Sequence, residues 1–195
     1  MMDPALGGAF TLTSTAFANG ARLPEPFSCK GVDQSPPLSW VNPPPDTQTF
    51  ALVLTSSSAA RPGPNVEWVV WSIPADRRAL PEGMAAGREP SNAPGTRQEA
   101  LSDLQRATID LGLDDALPGT LGGALGLPTP LDLVRRPRYH GPCDEQGVSV
   151  QFTLFALDAT ASSEWGAFVS REAVAEWLKT RNAALAQASL VAAYP

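Results

Sequence analysis

"FALVLTSSSAARPGPNVEWVVWSI", residues 50–73, holds two apolar runs separated by a polar stretch that contains Pro and Gly. Side chains of an extended chain alternate with period two, so the second run sets Val66, Trp68 and Val70 against Glu67, Val69 and Trp71. Both sets are largely apolar, which predicts a strand covered on both faces, central in a sheet or between layers. The first run, "TFALVLTS" at 49–56, has the same character. Its exit is unusual. Chains generally leave strands through Gly, Pro, Asn or Asp, which fit turn geometry at least cost. Here three small hydroxyls, Ser56, Ser57 and Ser58, take that place.

Outward from this pair, "AFTLTS" (9–14) and "VSVQFTLFALD" (148–158) are further strand-like segments. Pro-rich punctuation ("LPEPFS", "SPPLSW", "NPPPD") separates the early strands, a pattern that predicts an antiparallel β protein with long connections. The chain has 20 prolines in 195 residues, about twice the usual share of roughly 5%, which weighs against a helix bundle. Its length suits one domain over 1–195 with a core that needs no staples. Near the C-terminus, "SREAVAEWLKTRNAALAQASL" (170–190) predicts a helix, with Ser170 as N-cap, Glu172 in the first turn and Val174, Trp177, Leu178 and Leu185 as its apolar stripe.

The stretch at about 95–138 differs in kind. Thr96 and Glu99 have capping-box spacing, and Leu101, Leu104, Thr108 and Leu111 share one helical face. The segment then passes into "PGTLGGALGLPTPLDL", rich in Gly and Pro yet still apolar. Two readings stand: leucines that pack the segment onto the surface, and a lid that closes over an apolar ligand.

A net charge of −6 and a pI near 4.7 argue against nucleic-acid binding, because no basic stripe exists to displace phosphate counterions. The one basic cluster, "RRPR" at 135–138, reads as a solvated loop. No basic-then-apolar leader precedes residue 10 and no apolar run approaches about 18 residues, so the expectation is a cytoplasmic protein without a membrane span. The single histidine, His140, rules out any site that needs two imidazoles. Zinc held by Cys29, Cys143 and His140 is weakly supported, since the cysteines lie far apart and form no CxxC. No motif specifies a cofactor, and none is expected.

Five pieces in order, "FTLTSTAFANGARLPEPFSCKGVDQSPPLSW", "TFALVLTSSSAA", "EWVVWSIPA", "YHGPCDEQG" and "FTLFALD", resemble the phosphatidylethanolamine-binding protein family in its bacterial Raf-kinase-inhibitor-like branch. The match covers roughly residues 9–94 and 139–158, and "CKGVDQSPPLSW" is its most specific part. The resemblance implies a mainly β fold, with an antiparallel sheet packed on a second sheet as a sandwich, flanking helices and a helical ending. It also implies a small pocket at one end of the strands for an anionic head group such as a phosphate.

The residues of that pocket do not carry over. Where the family has Asp-Pro-Asp-Ala-Pro this chain has Ser56, Ser57, Ser58, Ala59 and Ala60. The family's His-Trp pair falls on Glu67 and Trp68, and its two prolines after the GPC cysteine fall on Asp144 and Glu145. Its His-Arg-Tyr falls on Val148, Ser149 and Val150 by strand parity, or on Ser149 to Gln151 without a gap, and neither alignment retains a histidine. Serines supply donors and acceptors but no charge, and a carboxylate at Glu67 repels phosphate.

Decay of an abandoned site is one account of these changes. The better account is a pocket rebuilt for a neutral, hydrophobic small molecule, with Trp68, Trp71, Val148 and Val150 as walls and Ser56, Ser58 and Glu67 as polar points. Glu67 then suits general acid or base work, with His140 as a second proton carrier, although a lone His in a Tyr-His-Gly loop is more often structural. The expected function is a cofactor-free cyclase, isomerase or dehydratase of specialised metabolism, set against a non-catalytic carrier or protein-binding regulator. A Ser-His-acid hydrolase is disfavoured because no GxSxG elbow is present. The family keeps a cysteine at Cys143, which marks it as part of the fold. Cys29 and Cys143 are expected to approach each other and, in a cytoplasmic protein, to remain thiols.

Overall fold

In a computed structural model, which describes residues 8–58, 64–87, 89–100, 138–143, 147–158 and 184–194, the two apolar runs pair as neighbouring antiparallel strands. The strands in chain order are β1 (Thr11–Thr13), β2 (Leu38–Val41), β3 (Thr49–Ser57), β4 (Asn65–Pro74), β5 (Ala79–Leu80), β6 (Arg97–Ala100), β7 (Val148–Leu157) and β8 (Ala184–Tyr194). Among the described residues the only helical element is a 3-10 turn at Glu25–Phe27, where Pro24 and Pro26 hold backbone angles suited to a tight turn. The described residues contain none of the expected flanking α-helices.

Two antiparallel sheets result, β1-β2-β5 and β6-β4-β3-β7-β8. The larger sheet has β3 at its centre, and β3 is buried along almost its whole length, as its two-sided apolar pattern requires. Phe50, Leu52 and Leu54 of β3 share one core with Trp68 and Val70 of β4, Phe152 and Leu154 of β7, and Leu12, Leu38, Trp40 and Leu80 of the smaller sheet. This inner layer is the filling of the sandwich. Ala51, Val53, Val69, Trp71 and Leu157 form a second buried cluster on the other face of the larger sheet.

Two expectations about the elements are corrected. Residues 184–190, read as the end of a C-terminal helix, belong to β8, which runs beside β7 from Val148↔Tyr194 to Leu157↔Ala184. Alanines favour helix intrinsically. Here "ALAQASLVAAY" instead alternates exposed and buried with period two, and pairing with β7 satisfies its backbone. Residues 170–183 of the expected helix lie outside the described residues.

The helix start at Thr96 is also overturned. The Thr96 hydroxyl donates back to the Ala93 carbonyl, and 97–100 pair with β4 as an edge strand. A Thr-x-x-Glu spacing specifies a cap only when the following backbone is not claimed by a neighbouring strand. Leu101, Leu104, Thr108 and Leu111, with the rest of the expected insertion to residue 137, lie outside the described residues.

Candidate functional site

In a regular ladder Glu67 faces the same way as Val69 and Trp71. The β3–β4 register breaks at this point: Leu54 lies opposite Trp68 and Thr55 opposite Val66, which leaves Glu67 unmatched in a bulge. Bulges re-aim the extra side chain. Ser56 is in phase with Leu52 and Leu54 of the inner layer, and its hydroxyl donates to Glu67 Oε1 at 2.6 Å. Both residues are buried, at 3% and 8% exposure. The bulge thus turns a carboxylate that the alternation placed outside toward the sandwich interior, beside the first of the three serines.

Several neighbours of this pair are apolar, although Ser56 also lies opposite Asn65 on β4. Ser56 lies opposite Val150 on β7, and Val148, Val150 and Trp68 all belong to the inner core. Ser58 follows the end of β3 and is half-buried. Trp71, expected beside Trp68 as a pocket wall, is on the opposite face with Val53 and Val69. The two tryptophans are three positions apart in a strand, and an odd spacing puts them on opposite faces.

Trp68 is held in place from two sides. Its indole N–H donates to Gln98 Oε1 at 2.9 Å, and the fully buried Gln98 donates through Nε2 to the carbonyls of Ala85 and Gly87. Tyr139 stacks edge-on against Trp68, with ring centroids 5.3 Å apart at 88°. The Tyr139 hydroxyl in turn donates to the Phe27 carbonyl at 2.7 Å.

That last bond belongs to a clasp between the segments at 27–33 and 138–143. Asp33 receives the Gly141 backbone N–H on Oδ1 and contacts His140 Nδ1 through Oδ2, each at 2.7 Å. Arg138 stands 3.8 Å from the same carboxylate. Burial pushes the Asp33 carboxyl up, but the hydrogen bonds from His140 and Gly141 and the nearby charges outweigh it and hold it below its ordinary value. Gly141 packs so closely on the backbone of Phe27 and Ser28 that no side chain fits there. His140 is 3% exposed, and its Nδ1 is engaged by Asp33.

The clasp is also covalent. Cys29 and Cys143, expected as thiols, form a disulfide across a sequence separation of 114, with Cα atoms 5.3 Å apart. The surrounding hydrogen bonds, including Cys29 N–H to the Pro142 carbonyl, bring the two Cα atoms within natural disulfide range. This pairing also uses up two of the three side chains of the zinc arrangement considered above.

Ser56 and Glu67 are thus brought together, with Val150 opposite Ser56 and Trp68 and Val148 in the same core, while Trp71 lies on the other face of the sheet and His140 is bound to Asp33. Asp33, Gln98 and Tyr139 went unnoticed in the sequence. Gln98 was masked by the helical reading of its segment, and nothing in "KGVDQ" marks Asp33 as the partner of a residue so far along the chain.

A family model described as phosphatidylethanolamine-binding protein matches residues 13–195. The chain belongs to the phosphatidylethanolamine-binding protein family. A member of the UPF0098 proteins from Methanothermobacter thermautotrophicus is 31% identical over 188 residues, covering 94% of this chain and 97% of the relative. A UPF0098 protein of Mycobacterium tuberculosis is 30% identical over 162 residues, and the matched part of this chain spans 59% of that relative's length. The fold matches a phosphatidylethanolamine-binding protein homologue of Chlamydia trachomatis with a TM-score of 0.64 at 24% identity, covering 96% of this chain and 97% of the other. Escherichia coli YbcL gives a TM-score of 0.61 at 20% identity, with 95% and 97% covered. Among the described residues of this family member no helix is long and apolar enough to cross a membrane.

Proposed function

We propose that this member of the family binds an uncharged, largely apolar small molecule at the Ser56–Glu67 end of the larger sheet, and that an anionic head group is not its ligand. The observation that carries the reading is the buried 2.6 Å bond between Ser56 and Glu67 among Trp68, Val148 and Val150. A hydroxyl and a carboxyl beside the apolar side chains of Trp68 and Val150 suit a neutral ligand that needs few polar points. A phosphate brought to about 4 Å of a carboxylate meets a repulsion of about 4 kcal/mol in a partly buried site. A second reading adds proton transfer on the bound molecule, as in a cyclase, isomerase or dehydratase, with Glu67 as acid or base. It is favoured by one observation: the Ser56–Glu67 separation is that of a hydroxyl poised on a proton acceptor.

The test compares thermal shifts of the full chain with inorganic phosphate, phosphoethanolamine, 1-octanol and cyclohexanone. Neither phosphate compound is expected to raise the Tm, while at least one neutral compound raises it. Ser56→Ala and Glu67→Gln should weaken that effect roughly three- to tenfold, the worth of one hydrogen bond. A saturable phosphate response in the wild type defeats the binding reading. If Glu67→Gln converts a turned-over candidate substrate at the wild-type rate, the proton-transfer reading fails and a carrier remains.

A further inference from the structure

The disulfide between Cys29 and Cys143 has no part in the ligand site just proposed, and its surroundings point to a use of its own. The two segments it joins are already held without it. Tyr139 binds the Phe27 carbonyl, Gly141 and His140 bind Asp33, Cys29 N–H binds the Pro142 carbonyl, and the Gly141 backbone lies against Phe27 and Ser28. A bond needed only to hold these segments together would be redundant. The two residues also differ in exposure: Cys143 is exposed, whereas Cys29 is half-buried. A thiolate in solution can therefore reach one side of the bond without opening the sandwich, whose core contains neither cysteine.

We infer that Cys29–Cys143 is a site of reversible thiol–disulfide exchange with low-molecular-weight thiols, and that the protein keeps its fold in both redox states. In the forward direction a thiolate RS⁻ attacks Cys143 Sγ. The sulfur–sulfur bond breaks, a mixed disulfide forms on Cys143, and the electron pair leaves on Cys29 Sγ, which takes a proton from water. A second thiolate attacks the outer, RS sulfur of that mixed disulfide, which forms RSSR and expels Cys143 Sγ to take a proton from water, so two thiols are oxidised as one disulfide is reduced. The order follows from exposure, because attack needs a line of approach as well as a thiolate. The reduced clasp keeps its hydrogen bonds to Asp33 and Phe27, which hold the two thiols close enough to re-form the bond when RSSR is in excess.

The full chain, purified without reductant, is treated with iodoacetamide under native conditions before and after excess reduced glutathione, and the alkylated peptides are read by mass spectrometry. The expected result is complete protection of both cysteines before glutathione and complete loss of that protection after it. Early trapping should find the glutathione adduct on Cys143, and the strand signal in far-UV circular dichroism should stay unchanged. Oxidised glutathione should restore protection. A Cys29→Ser/Cys143→Ser double variant should retain the wild-type strand signal. Alkylation before any reductant overturns the inference, as does reduction that needs denaturant, an adduct confined to Cys29, or loss of the strand signal in the reduced or doubly substituted protein.

Discussion

Asp33 has a φ of 55°, a left-handed backbone conformation that side chains other than Gly, Asn and Asp adopt at appreciable cost. The strain is offset by what the position delivers: one carboxylate that receives both the Gly141 N–H and the His140 ring. Asp33→Ala should cost about 2 to 3 kcal/mol in urea denaturation, because it leaves a buried donor without its acceptor. The same pair sets a pH dependence. The folded-state carboxyl titrates below its ordinary value of 3.8, so its contribution is complete above that pH. It is lost as the pH falls from there through the lower folded value, and Asp33→Asn should remove this part of the acid profile. At this scale the sequence was partly legible. Ser56 and Glu67 stood out by residue type against the family's acids and histidine, but their contact depends on a bulge that no local signal announces. Trp71 was misplaced because the two-sided apolar pattern of β4 does not say which face borders the site.

β8 shows how an element escapes a local reading. Its alanines suit a helix and Leu185 continues the helical stripe read from Val174, Trp177 and Leu178, so only the partner strand shows that the segment is extended. The two leucines of β8 provide the test. In the strand, Leu190 is 1% exposed in the inner core and Leu185 is 40% exposed. Leu190→Ala should therefore lose about 2 to 5 kcal/mol of stability, and Leu185→Ala no more than about 0.5, measured by the same denaturation curves. Comparable losses at both positions would contradict the strand assignment. The strands β3 and β4 were legible almost to the residue because buried, two-sided strands carry continuous apolar runs, and β7 because its polar and apolar residues alternate. The shorter β2, β5 and β6 were not, since a few residues beside prolines carry too little periodicity to count.

Across the whole molecule, the strand order β6-β4-β3-β7-β8 means that β7 must enter beside β3 after a long excursion of the chain. The clasp fixes the point of re-entry, since 138–143 are anchored on 27–33 just before β7 begins at Val148. Sequence reading found both ends of this arrangement as family motifs without showing that they touch. The disulfide converts the arrangement into a closed ring that contains β2 to β6 and leaves β1, β7 and β8 outside it. Such a ring has a mechanical meaning. Pulled by its two ends, the oxidised molecule can pay out only the chain outside the ring, because the covalent bond carries the load past everything within. Reduction should add the 114-residue separation to the extensible length, roughly 400 Å at about 3.5 Å per residue, readable as a longer contour in single-molecule stretching. Equal contour lengths in the two states would show that no such ring exists. With the bond in place, the five strands of the ring are shielded from a force on the ends, and tension is borne by β1, β7 and β8.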